Sequence, residues 1–167
     1  MKIELKNIKF SEAMSEETNA FTADLFINGK KVGYCKNQGH GGCTDYNSYE
    51  PENRKVIQEA EAYFKSLPKV KEEKYNFEYQ PTLEYAIDEQ LENWLKARYE
   101  KKMERKMLKA IFIGQPNSDP RSYYGFKVPL STIPLPQLQA SVDRIKAKLT
   151  NGEVILNTNL TALGVTV

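Results

Sequence analysis

Phe21-Thr22-Ala23-Asp24-Leu25-Phe26-Ile27-Asn28-Gly29-Lys30-Lys31-Val32-Gly33-Tyr34-Cys35-Lys36 is the stretch on which the fold turns. Phe21, Ala23, Leu25 and Ile27 recur with the period of two that puts alternate side chains on one face of a strand. Asn28-Gly29 then supplies two residues that tolerate positive φ, the requirement of a type I′ hairpin turn. Lys31 to Lys36 should therefore return antiparallel. Upstream, residues 2 to 10 carry Ile3 and Leu5 in phase, but Ile8 and Phe10 are out of it, which predicts a bulge near Asn7.

Downstream the period changes to that of helices. Pro51 marks a helix entry, and Val56, Ile57, Ala60, Tyr63, Phe64 and Leu67 form its apolar stripe, ending before Pro68. A charged connector, Lys69 to Lys74, follows. Pro81 and Thr82 open a helix expected over about 82–108, with Leu83, Ala86, Ile87, Leu91, Trp94, Leu95, Tyr99, Met103 and Met107 on one face; at 1.5 Å per residue it is near 40 Å long. Its acids (Glu84, Asp88, Glu89, Glu92) come first. Its bases (Lys96, Arg98, Lys101, Lys102, Arg105, Lys106, Lys109) come last, in the order that complements the helix dipole. That row reads as a solvated face, and Glu100 and Glu104 interrupt it as a nucleic-acid track.

Ala110 to Gly114 reads as a buried strand, Gln115 to Pro120 as a loop and Tyr123 to Val128 as another strand. Pro136 suits the first turn of a helix striped by Leu138, Val142, Ile145 and Leu149, ended by Asn151-Gly152 in left-handed conformation. Val154 to Leu156 is a last strand, and Asn157-Thr158-Asn159 can cap a single turn before Gly164. With no linker or repeat, the expectation is one α+β domain over residues 1–167: a mainly antiparallel sheet backed by three helices.

The chain has 167 residues, a net charge of +2, one histidine and two cysteines. No apolar run approaches the ~20 residues of a membrane span, and the first residues lack the apolar core of a signal peptide, so a cytoplasmic protein without membrane partners is expected. The small net charge disfavours a general nucleic-acid binder.

One loop stands out. Gly39-His40-Gly41-Gly42, with Thr44 two residues on, leaves a strand and precedes a helix. Glycines let backbone N–H groups converge on an anion, so a phosphate suits it. The spacing matches neither the dinucleotide fingerprint nor the P-loop, and a turn of unusual dihedrals explains the same residues. Cys35, His40, Cys43 and Asp45 are possible zinc ligands by type, but at no standard spacing, so no metal or other cofactor is expected. His40 with Cys43 is a conceivable nucleophile pair, lacking an orienting acid beyond Asp45. A second segment places Arg121 beside Tyr123 and Tyr124, a cation for a phosphate and rings for a base.

The run Phe26 to Tyr34, continued by Gly39-His40-Gly41-Gly42-Cys43-Thr44, resembles small uncharacterised proteins carried by bacteriophages and mobile elements. The resemblance implies a counter-defence context. Three readings then stand side by side: a non-enzymatic sponge that sequesters an anionic nucleotide-type immune signal, an inhibitor that binds a defence protein, and a phosphodiesterase-type hydrolase using His40. For the sponge, Gly39, His40, Gly41, Gly42, Thr44, Arg121, Tyr123 and Tyr124 are the candidate ligand residues, with no catalytic ones. A homo-oligomer would allow the site to be built between subunits.

Overall fold

The hairpin is where its sequence puts it. In the computed structural model, which describes residues 1–72 and 76–167, strand β2 (Phe21–Ile27) turns through Asn28 (φ 50°) and Gly29 (φ 83°) into β3 (Lys30–Asn37). Strand β1 (Ile3–Phe10) pairs antiparallel with β2, and its register slips between Lys6 and Lys9. The slip falls at Asn7, which has φ 53° and donates through Nδ2 to Asp24 Oδ2 at 2.7 Å. That bond, with the Lys31 ion pair at 2.9 Å, holds the Asp24 carboxyl below its usual range. A third pairing adds β4 (Asp45–Asn47) to the edge, giving an antiparallel sheet of order β1-β2-β3-β4.

The chain divides into two units, Met1–Lys96 and Ala97–Val167. In the first, Phe21, Ala23, Leu25 and Ile27 form the buried face of β2 and pack with Val32 and Cys35 of β3. Helix α1 (Pro51–Ser66) covers them with Ile57 and Ala60. Leu83, Ile87 and Leu91, from the first half of helix α2 (Leu83–Met107), complete the core. Between the helices the expected connector is instead a hairpin of β5 (Val70–Glu72) and β6 (Phe77–Tyr79). Residues 73 and 74 of that connector lie outside the described residues. Val70 and Phe77 are exposed, so the hairpin has no buried face to impose an alternation on its sequence.

The second unit is built on β7 (Ala110–Gly114), buried along its whole length. It lies between β8 (Ser122–Gly125) and β9 (Val154–Ile155), both antiparallel to it. Its faces serve two clusters. Ile111 and Ile113 join Leu138, Val142 and Ile145 of helix α3 (Leu135–Lys146), while Ala110 and Phe112 join Met103 and Met107 of α2. The expected strand over 123–128 is shorter and ends at Gly125. Asn151 (φ 54°) and Gly152 (φ 77°) are left-handed as their sequence demands. The apolar stripe expected to run through Tyr99 is broken, however. Residues 96–102 of α2 are all exposed, and Tyr99 donates its hydroxyl to Asp119 Oδ1 at 2.8 Å.

Asn157 does not cap a turn. Its Oδ1 accepts from Phe112 N at 2.7 Å and its Nδ2 donates to Ala110 O at 2.9 Å, so a buried side chain continues the β9 ladder along β7. Its neighbour Asn159 donates to Met107 O, the last turn of α2. Truncation would strand one buried N–H and one buried C=O, each costing about 1–3 kcal/mol. Asn157→Ala is accordingly expected to lower the unfolding free energy by about 3 kcal/mol in urea titration, against under about 1 kcal/mol for an exposed control such as Thr158→Ala.

Candidate functional site

The last turns of α2 have two faces. Met103 and Met107 turn to the core of the second unit, while Lys102, Arg105 and Lys106 stand out at i, i+3 and i+4, with Lys109 just beyond the helix end. Beside this row lies a cavity of about 640 Å³, lined also by Tyr99, Phe112, Arg121 and Tyr123. Phe112 and Tyr123 are register partners on β7 and β8, and their ring centroids are 5.6 Å apart at 34°. Phe112 is 5% exposed and Tyr123 67%, so the tyrosine presents its ring to the cavity with the buried phenylalanine packed beside it.

Arg121 is held in place. Its guanidinium contacts Glu153 Oε1 at 2.8 Å, and its backbone N–H donates to Ile113 O at 2.8 Å. The Glu153 side chain is 8% exposed, and its other oxygen accepts from Thr150 N and Oγ1 at 3.1 and 3.3 Å. The arginine side chain is by contrast 72% exposed. A guanidinium has five N–H donors, so most of its fork stays available. The Asp119 carboxylate accepts the hydroxyl of Tyr99, a lining residue, and pushes that phenol's pKa up.

Among the described residues, Lys102, Arg105, Lys106 and Lys109 form no ion pair. Their unit is basic as a whole, with 11 Lys and Arg against 5 Asp and Glu, net +6 over residues 97–167. Residues 1–96 hold 13 against 17, net −4. The overall +2 conceals this division, and the positive potential gathers where the cavity is.

The glycine loop belongs to the other unit and has another occupation. Gly39 (φ 92°) offers its carbonyl to the N–H groups of Glu16, Glu17 and Thr18, at 3.0 to 3.3 Å. Its own N–H donates to Asn37 Oδ1 at 2.8 Å, and that of Gly41 to Thr18 Oγ1 at 3.2 Å. Thr44 donates from N to Glu84 Oε1 and from Oγ1 to Asp88 Oδ1. His40 Nδ1 meets Glu16 Oε2 at 3.1 Å, both side chains exposed. A cavity of about 250 Å³ beside the loop is lined by Glu17, Asp88 and Glu92 and by no cation. The N–H groups of Gly39 and Gly41, two of those expected to cradle an anion, are spent inside the chain, and the surrounding carboxylates oppose one.

Nor does the loop gather an activated nucleophile. Cys35 is fully buried, and burial pushes its thiol up to about 12. Cys43 is exposed, and the Glu84 carboxylate raises its pKa, away from the thiolate that nucleophilic attack requires. Burial likewise raises Asp88, against the Thr44 hydrogen bond that lowers it. Among the described residues, no three His, Cys, Asp or Glu side chains are grouped to hold a metal ion.

Of the residues singled out in sequence, Arg121 and Tyr123 thus line the cationic cavity. Tyr124, one residue on, takes the opposite side of β8, where Lys148 Nζ lies 5.9 Å from its ring. Gly39, His40, Gly41, Gly42 and Thr44 form the loop of the first unit. Tyr99, expected on the apolar stripe, Lys102, Arg105, Lys106 and Lys109, expected on a solvated face, and Phe112, expected in a buried strand, line the cavity as well. Their signal was the one-face spacing of the cations, which a solvated helix end shares. No helix of the described residues is long and apolar enough to cross a membrane. No family model, curated protein or solved structure matches the chain.

Proposed function

We propose that the protein binds and sequesters an anionic nucleotide-type small molecule in the cavity of its second unit, without turning it over. The observation that carries this reading is the convergence of five cations, four of them without an ion pair among the described residues, with an aromatic pair around about 640 Å³. Ligand cavities fall at about 300–1,000 Å³. Phosphates take the lysines and the Arg121 fork, and the base lies against the exposed Tyr123 ring. The single histidine and both cysteines belong to residues 1–96, outside the cavity's unit.

In a phage or mobile element, such a binder acts as a sponge, lowering the free concentration of a nucleotide immune signal. The test is direct. The pure chain is incubated with a panel of cyclic dinucleotides, ADP-ribose-type nucleotides and linear nucleotides, desalted, and heated to release what it holds. Intact nucleotide in near one-to-one ratio is expected. Cleaved product, or no retained nucleotide, overturns the reading.

A further inference from the structure

Resting on that reading, we infer that the ligand carries two or more phosphoryl groups in series, as in a nucleoside oligophosphate, and not a lone monophosphate. The cations around the cavity are too many for one phosphate. Lys102, Arg105, Lys106, Lys109 and Arg121 line it, and Glu153 is the one carboxylate bonded to any of them among the described residues. That leaves about four positive charges uncompensated, whereas a phosphomonoester brings only about −1.5 to −2 and three terminal oxygens.

The cations are also spread out. Lys102 and Lys106 stand a full turn apart, about 6 Å along the axis of α2. Arg121 comes from the sheet, where Glu153 fixes it at 2.8 Å and leaves the rest of its fork open. A phosphoryl group on the Arg121 fork leaves the lysine row unsatisfied, and a chain of phosphates reaches both. The row is also short for a nucleic-acid strand, since from Lys102 to Lys106 it spans only about 6 Å of the α2 axis. An open groove with a continuing basic track is what strand binding requires.

Calorimetric titration of the full chain with nucleoside, mono-, di- and triphosphate, in adenine, guanine and uracil series, tests this. Inorganic tripolyphosphate and a single-stranded oligonucleotide accompany them, each at 50 and 200 mM salt. Each added phosphoryl is expected to tighten binding about tenfold, with a steeper salt dependence for triphosphate than for monophosphate. Mono- and triphosphate of equal affinity would overturn this inference and leave the nucleotide reading standing. Tripolyphosphate binding as tightly as the best triphosphate overturns the nucleotide reading, because the aromatic pair then adds nothing. An oligonucleotide tighter than every small probe, or silence from all of them, overturns both.

Discussion

A chain carrying Lys102→Glu and Lys106→Glu is expected to lose at least about 100-fold in affinity for nucleoside triphosphate while melting within a few degrees of the parent. Both side chains are exposed, and among the described residues neither has an ion-pair partner to lose. Reversal removes two attractions and adds two repulsions at a cavity whose other charged groups are chiefly cationic. An exposed charge pair is worth up to about 1 kcal/mol, so two attractions lost and two repulsions gained together approach about 3–4 kcal/mol, above the roughly 2.8 kcal/mol of a hundredfold loss. Removing Glu104, by Glu104→Gln, should leave binding intact or tighten it. Titration calorimetry of the double variant reads the outcome. Retained affinity would mean that the lysine row is only a helix terminus complementing its dipole.

Gly39→Ala is expected to destabilise the first unit by about 4 kcal/mol. A Cβ there would sit 2.0 Å from Met14 O, and the residue has φ 92°. A left-handed alanine costs about 1–2 kcal/mol. Moving the Met14 carbonyl also disturbs the Gly39 carbonyl, on which three N–H groups converge, each bond being worth about 1 kcal/mol. Gly42 provides the contrast: a Cβ there meets nothing within 4 Å, and Gly42→Ala should change stability by under about 0.5 kcal/mol. Chemical unfolding distinguishes them. Equal, small effects would show that the loop is not a structural latch and reopen it as a ligand cradle.

The elements legible in the sequence are those with a buried face. The β2–β3 hairpin was readable because Phe21, Ala23, Leu25 and Ile27 must all turn inward, and because Asn28-Gly29 meets a dihedral requirement few pairs satisfy. The slip at Asn7 and the left-handed Asn151-Gly152 were readable for the same reason. β4 and the β5–β6 hairpin escaped notice because they are three residues each and largely exposed, so pairing alone defines them. Asn157 was misread because an asparagine that caps a turn and one that extends a ladder look alike in sequence.

The glycine loop drew attention by composition, and its glycines answer a local need: Gly39 because the Met14 carbonyl comes so near, Gly41 because its φ is 86°. Arg121 beside Tyr123 was a visible pairing of cation and ring. The lysine row was visible too. What it faces was not, since the aromatic partners Phe112 and Tyr123 reach it only through the pairing of β7 with β8. Net charge misled by averaging, since +6 and −4 sum to an unremarkable +2.

The central claim is that nucleotide binds in the second unit, and backbone and side-chain NMR of the labelled chain tests it most directly. On titration with the tightest nucleoside triphosphate, the largest shift changes should fall on Tyr99, Lys106, Phe112, Arg121 and Tyr123, with the amides of Gly39, Gly41 and Gly42 unmoved. Saturable changes centred on Gly39 to Thr44, with the Phe112 and Tyr123 rings unperturbed, would contradict it.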